Sequence, residues 1–453
     1  MADQLERRFD GVDRATMPDL WGAIEVRAQH PAPQPRGPRV AALVLAVLVA
    51  AAVIGGLVWA LQGRESQPAV QPGVNGDIGY VGRQPDGHFH LFAIDPTSGV
   101  TLQLTGGSGY DFDPVWSPDG TEVVFVRDTP AAGGSSTTQL VLRARDGTER
   151  VLLECAPPRQ SACGEPNSGN PSWSPDGSRL AWVGGASQSI LQVMDLATGH
   201  VISLCRVRCG PGLSQITWSP NGQQVAFSNA GAVGAPLASA QDRTSRIWVQ
   251  RADGSSPAVA LSGSAGCSAG APGCLNVGPS WSPDGDLIAF VTVNVAAHTA
   301  VAATMRPDGS DVRVVDSCPG HDGCSGIPGP VWSPDGTRFA LTIRRSPSTG
   351  MPAIRIFTPA NGDTNDLSLC AGCSPVEIAW SPDGTSLAFI KYDDATYETG
   401  LYVVAADGTG LRSVLGLGSV DVPGLSWLPA GAIATASTVT PSTVTPSTGT
   451  PSG

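Results

Sequence analysis

The chain has 453 residues, 27 basic against 39 acidic, for a formal net charge of −12, and 41% of its residues are hydrophobic. That length accommodates one large core or several domains, and the acidic balance argues against binding nucleic acid or an anionic membrane surface.

Residues 1–39 hold balanced charge, and Leu5, Phe9, Leu20, Trp21, Ile24 and Val26 suit one or two short amphipathic helices. Residues 40–61, from Val40 to Leu61, contain no charge and no side-chain amide. At helical rise this segment spans a bilayer core. The residues ahead of it and the lack of a defined small-residue cleavage site favour an uncleaved anchor over a signal peptide. Arg27, Arg36 and Arg39 stand upstream with no acid between them, whereas Arg64 and Glu65 cancel downstream. The positive-inside rule then puts the N-terminus in the cytoplasm and the rest outside. Residues 62–76 read as a short linker.

Residues 78 to 104 carry three strand-like runs, Ile78 to Val81, His90 to Ile94 and Val100 to Leu104. A phrase then begins to repeat: a Trp, Ser-Pro-Asp-Gly or a close variant, and an apolar run. Its tryptophans are Trp116, Trp173, Trp218, Trp281, Trp332, Trp380 and Trp427. Pro presets the first central turn position, Asp suits the second, and Gly accepts the positive φ that closes a hairpin. Each Trp therefore ends one strand, and a run such as Leu180 to Val183 begins the next. Two further runs follow in each unit, as Ile190 to Met194 and Val201 to Leu204 illustrate. Four-stranded antiparallel sheets at such a period predict an all-β fold, a β-propeller.

Six complete units run from Trp116 to about Ser426, and fragments remain at both ends. Joining the 78–104 runs to the strand of Trp427 closes the ring and gives seven blades. Six and eight remain alternative counts, because Ala432 to Ser437 competes with Ile78 to Val81 for one strand position. The expected organisation is a cytoplasmic segment (1–39), a transmembrane helix (40–61), a linker (62–76), a propeller (77–436) and a Ser/Thr/Pro-rich tail (437–453). The tail's composition cannot bury a core.

The phrase Pro-x-Trp-Ser-Pro-Asp-Gly-x-x-Leu-Ala-Phe resembles the repeat of TolB-like propellers, a WD-repeat-like pattern also found in propeller domains of prolyl-oligopeptidase-like peptidases. The likeness covers residues 78 to about 436. Trp427-Leu-Pro-Ala-Gly departs from it, and Asn221 replaces the Asp of the third copy. The resemblance implies a structural role for the motif residues and envelope maintenance through protein contacts. TolB itself is soluble and periplasmic and carries an added α/β domain, so its Tol-system role is not expected to transfer to a chain with an anchor. The Arg-rich, nearly Lys-free usage, with Lys391 the only lysine, resembles that of GC-rich bacteria, actinobacteria in particular.

Ten cysteines fall into five local pairs: Cys155 with Cys163, Cys205 with Cys209, Cys267 with Cys274, Cys318 with Cys324, and Cys370 with Cys373. Every pair precedes a motif Trp and occupies the crossing from one unit to the next. Repeated local pairs of this kind predict disulfides, and disulfides predict an exported domain. Zinc is the competing reading, but two thiolates leave a zinc site incomplete.

Chemistry is harder to find. Gly266-Cys267-Ser268-Ala269-Gly270 fits a nucleophile-elbow pattern, yet it lies in a cysteine-pinched loop with no helix after it. Only 26 residues follow Trp427, too few for a hydrolase domain. His88 and His90 share a strand face, expected to be solvated. Three residues before the tryptophans stand Asp113, Asn170, Gln215, Gly278, Gly329, Glu377 and Gly424, all polar or glycine. On an inner strand this register would line a central channel, with Asp111 and Asp421 near its mouth. The expected ligand site is therefore Asp111, Asp113, Asn170, Gln215, Glu377 and Asp421, with no metal and no cofactor assigned, calcium in the channel being the alternative.

Three function classes follow. The first is a membrane-anchored, extracytoplasmic, non-catalytic binding or scaffold module for a protein, peptide or glycan at the cell envelope. The second is a transmembrane sensor whose residues 1–39 contact a cytosolic partner such as a sigma-factor system. The third is a hydrolase or lyase with its site in the channel. The expected location is the cytoplasmic membrane, single-pass, with the N-terminus inside.

Overall fold

In the computed structural model the described residues lie between 73 and 430, except 131–135, 156–170, 185–189, 205–212, 233–242, 262–264, 266, 269–270, 272, 319–328, 344–351, 370–372, 394–395, 397, 417 and 419. They belong to the second of two compact units, Pro68–Gly453. The expected cytoplasmic segment, transmembrane helix and tail therefore lie outside the described residues, as do Asn170, Cys163, Cys205, Cys209, Cys324 and Cys370. So do the side chains of Asp421, Cys318 and Cys373.

Among the described residues the secondary structure is all β, in 28 strands. Six successive groups of four pair antiparallel in chain order: β4–β7 (residues 110–155), β8–β11 (172–203), β12–β15 (213–260), β16–β19 (274–318), β20–β23 (331–368) and β24–β27 (373–415). A single parallel bridge, Ser245 opposite Leu275, joins the third and fourth groups into one sheet. The remaining sheet is composite: β28 (Asp421–Pro429) pairs with β1 (Asn75–Arg83), followed by β2 (Phe89–Ile94) and β3 (Thr101–Gln103). Ile78 lies opposite Trp427, so the N-terminal strand fills the slot beside the last tryptophan. Ala432 to Ser437, its competitor, lies outside the described residues.

The Ser-Pro-Asp-Gly phrase makes the same turn each time. In the second copy Gly177 N–H donates to the Ser174 carbonyl at 2.9 Å, with Gly177 at φ 70°. Asp176 accepts from the Ser174 hydroxyl at 2.5 Å and from the Ser178 N–H at 3.1 Å. The same serine oxygen accepts the Arg179 N–H at 2.9 Å, so one buried hydroxyl ties both ends of the hairpin. Asn221 does the work of Asp in the third copy, accepting from Ser219 and Gln223. Burial pulls Asp119, Asp176, Asp335 and Asp383 upward, but the serine and backbone hydrogen bonds together outweigh it and hold each below the usual carboxylate range.

Packing runs between sheets. Each of seven apolar clusters draws residues from two consecutive groups, from Val81, Leu91 and Phe125 at the closing sheet and first group to Ile78, Ala388 and Leu401 at the sixth group and closing sheet. Phe125, Phe227, Phe290 and Phe389, each nine residues after a motif Trp, are fully buried. Fully burying such a side chain is worth about 1.5–3 kcal/mol. The tryptophans tie the seams by hydrogen bonds as well. Trp173 donates its Nε1 proton to Val115 O, Trp218 to Ser172 O, Trp332 to Ser280 O and Trp380 to Val331 O, at 2.8–3.0 Å. Each acceptor immediately precedes the previous motif Trp. Trp281 instead donates to Gly285 O in its own turn.

Candidate functional site

The innermost strands, which end at the motif tryptophans, contact one another in a closed cycle: β4 (Tyr110–Trp116), β8 (Ser172–Trp173), β12 (Leu213–Trp218), β16 (Cys274–Trp281), β20 (Val331–Trp332), β24 (Cys373–Trp380), β28, and back to β4. Three residues before the tryptophans the ladders break. Register shifts fall between Phe112 and Val115, Ser214 and Thr217, and Val277 and Ser280. Asp113, Gln215, Gly278 and Gly424 sit at these breaks or the equivalent point with φ of 50°, 52°, 64° and 138°. The polar-or-glycine pattern thus has a backbone cause that alternation alone did not supply: a bulge demands left-handed φ, which Gly accepts freely and which costs a residue with a Cβ.

Residues of this register meet across neighbouring strands. Gln215 Oε1 accepts the Gly278 N–H at 2.6 Å, and a Cβ on Gly329 would lie 2.7 Å from the Gly278 carbonyl oxygen. The Glu377 carboxylate accepts N–H groups of Gly424 (3.0 Å) and Leu425 (3.2 Å), linking β24 to the closing strand. Gly424 in turn presses on Pro114, where an added Cβ would meet the ring at 2.5 Å.

Two carboxylates in this cycle are perturbed. Asp113 is 3% exposed, its Oδ1 is buried without a hydrogen-bond partner, and burial pushes its pKa up to about 6. Glu377 is pushed up to about 7. Desolvation by the surrounding strands leads, the Leu425 and Gly424 N–H groups oppose it, and the charge of Asp113 adds to the rise.

Asp111, two residues before Asp113 on β4, is engaged by a different set of groups. It is fully buried, bonded by Arg127 Nε at 2.7 Å and faced by His90 Nδ1 at 3.3 Å, while Arg127 also reaches Glu149 at 2.7 Å. His88 and His90 do share a face, their rings 6.4 Å apart, but it is only partly solvated: His90 is 3% exposed, while His88, stacked on Tyr110, is half-buried. Among the described residues no group of three His, Cys, Asp or Glu is placed to hold a metal. Asp421 pairs through its backbone with Val81.

Cys267 and Cys274 form a disulfide with Cα atoms 5.9 Å apart, and Cys155 is also disulfide-bonded. Cys274 opens β16, so a strand and not a helix follows Ser268. The pairings of the other cysteines fall outside the described residues or rest on side chains that do.

No protein-family model and no curated protein matches the chain. Solved structures do. An oligogalacturonate lyase from Vibrio parahaemolyticus superposes with a TM-score of 0.53 at 16% identity, over 74% of this chain and 88% of that one. A putative 6-phosphogluconolactonase from Bacteroides uniformis gives 0.50 at 15% identity, over 78% and 100%. TolB from Acinetobacter baumannii gives 0.44 at 18% identity, over 78% and 67%. The fold is that of β-propeller proteins. Fold alone assigns neither binding nor catalysis.

Proposed function

We propose that the protein is a seven-bladed β-propeller, anchored by residues 40–61, that binds a protein, peptide or glycan outside the cytoplasmic membrane through its axis. The observation that carries this reading is the closed cycle of inner strands, which brings Asp113, Gln215 and Glu377 into one register. The seven inter-sheet clusters support the blade count. The bonding of the motif residues favours binding over turnover, since the serines, aspartates and most indoles are engaged in turns and seams. The disulfides support export.

Proximity labelling from a peroxidase fused to the propeller in the native cell tests the proposal. The expected result is a discrete set of envelope proteins or glycoconjugates whose labelling falls when Asp113 and Glu377 are both replaced by Ala. Labelling of cytosolic proteins, or an unchanged set in the double variant, would overturn it.

A further inference from the structure

Six residues after the motif Trp, the second and fifth groups carry Arg179 and Arg338. Each arginine crosses to the next group and lies over its tryptophan: Arg179 over Trp218 at 5.0 Å, Arg338 over Trp380 at 5.1 Å. Each also donates to a turn carbonyl of that next group, Gly222 O at 2.7 Å and Gly384 O at 3.0 Å. A guanidinium over an indole, bonded at its edge, thus fills two of these seams, the same position being Glu122, Gln224 and Leu287 in the first, third and fourth groups.

In the sixth group the same position is Ser386. Its hydroxymethyl cannot reach across, and the seam to the closing sheet holds a cavity of about 630 Å³ with Ser386 and Trp427 in its wall. Trp427 is fixed there by its own Nε1 bond to Gly76 O at 3.1 Å. The wall also carries Asp77 and Asp95. Asp95 is engaged with Thr97 and Ser98 of its turn. Asp77 has its pKa raised by burial and by the charge of Asp95, a repulsion that a cation would relieve. Arg412 reaches the wall too, but its Nη1 donates to Pro96 O at 2.7 Å.

We propose that this cavity is a binding site for a guanidinium group supplied from outside the sheet, seated against Trp427 and paired with Asp77, in the place that Arg179 and Arg338 fill at the equivalent seams. The site requires only the repeat geometry and stands apart from the axial carboxylates, so either can fail without the other.

The test is calorimetric titration of the full-length protein with the tripeptide amide Ac-Gly-Arg-Gly-NH2, its citrulline counterpart, and methylguanidine. The arginine tripeptide is expected to bind saturably, with the citrulline form at least tenfold weaker, because citrulline keeps the shape and loses the charge. Asp77→Asn is expected to weaken binding by about tenfold, the equivalent of roughly 1.4 kcal/mol. Ser386→Arg is expected to abolish binding and to raise Tm, since it builds the missing crossing from within. Tighter binding of the tripeptide than of methylguanidine identifies a peptide arginine as the occupant, and equal binding identifies a small organic cation. Equal binding of arginine and citrulline forms, no binding of any probe, or full binding by a folded Ser386→Arg variant would overturn the proposal.

Discussion

Trp116 packs its indole nitrogen against Gly79 so closely that a Cβ on the glycine would lie 2.6 Å from Nε1, and that buried Nε1 has no hydrogen-bond partner. At the next seam Trp173 makes the bond that Trp116 lacks. The first tryptophan meets the composite sheet, where the register of β1 against β28 shifts between Gly79 and Val81.

Replacing each of these tryptophans by Phe therefore separates packing from hydrogen bonding. Trp173→Phe is expected to cost about 1 kcal/mol more than Trp116→Phe, the net worth of a buried hydrogen bond. Urea unfolding of the two variants checks this. Equal losses would remove the bond's role.

The axial carboxylates make stability depend on pH in a defined direction. The folded-state pKa of Asp113 lies near 6, above its unfolded value near 3.9, so the folded chain holds the proton more tightly. Its stabilising share is present below about pH 4 and is lost as pH rises through 6. Asp113→Asn is expected to raise stability by about 1–3 kcal/mol at pH 8 and to leave it unchanged near pH 4. Glu377→Gln shifts the same way across a window extending to about pH 7, less the loss of bonds to Gly424 and Leu425. Thermal melts across this pH range measure both.

Close backbone approach at the axis makes glycine irreplaceable there. Gly329→Ala would place a Cβ 2.7 Å from Gly278 O and 2.8 Å from its Cα, atoms that cannot swing aside. A loss of roughly 2–4 kcal/mol is expected, whereas Gly416→Ala, which meets nothing within 4 Å, should change stability by less than about 0.5 kcal/mol. Denaturant midpoints distinguish them.

Removing the Cys267–Cys274 bond opens a short loop, with a sequence separation of 7. The chain-entropy relation gives about 2 kcal/mol for a loop of this size. The double serine variant should therefore stay folded with a lower Tm. Failure to fold would show that the bond holds more than its own crossing.

Much of the fold was legible because its determinants are local. Trp-Ser-Pro-Asp-Gly encodes the strand end, the turn and the next strand within a few residues, and the pairing of β28 with β1 followed from leftover strands at both chain ends. What the sequence withheld was non-local. Nothing near Asp111 announces that Arg127 and His90 will contact it. The same holds for Arg179 and Arg338, whose partners lie one sheet away. Only after the sheets are placed does Ser386 stand out as the short member of its set. At the inner strands the polar-or-glycine register has a backbone cause that the sequence did not disclose: Gly278 and Gly424 occupy positions of positive φ.

A ring of sheets displayed outside the cytoplasm, its crossings closed by sulfur as proposed above, is tested by maleimide mass-tagging of the protein taken directly from cells. No tag is expected on any of the ten cysteines before reduction, with ten tags after it and five local cross-links in the unreduced peptide map. Tags appearing on the folded, unreduced protein would contradict it.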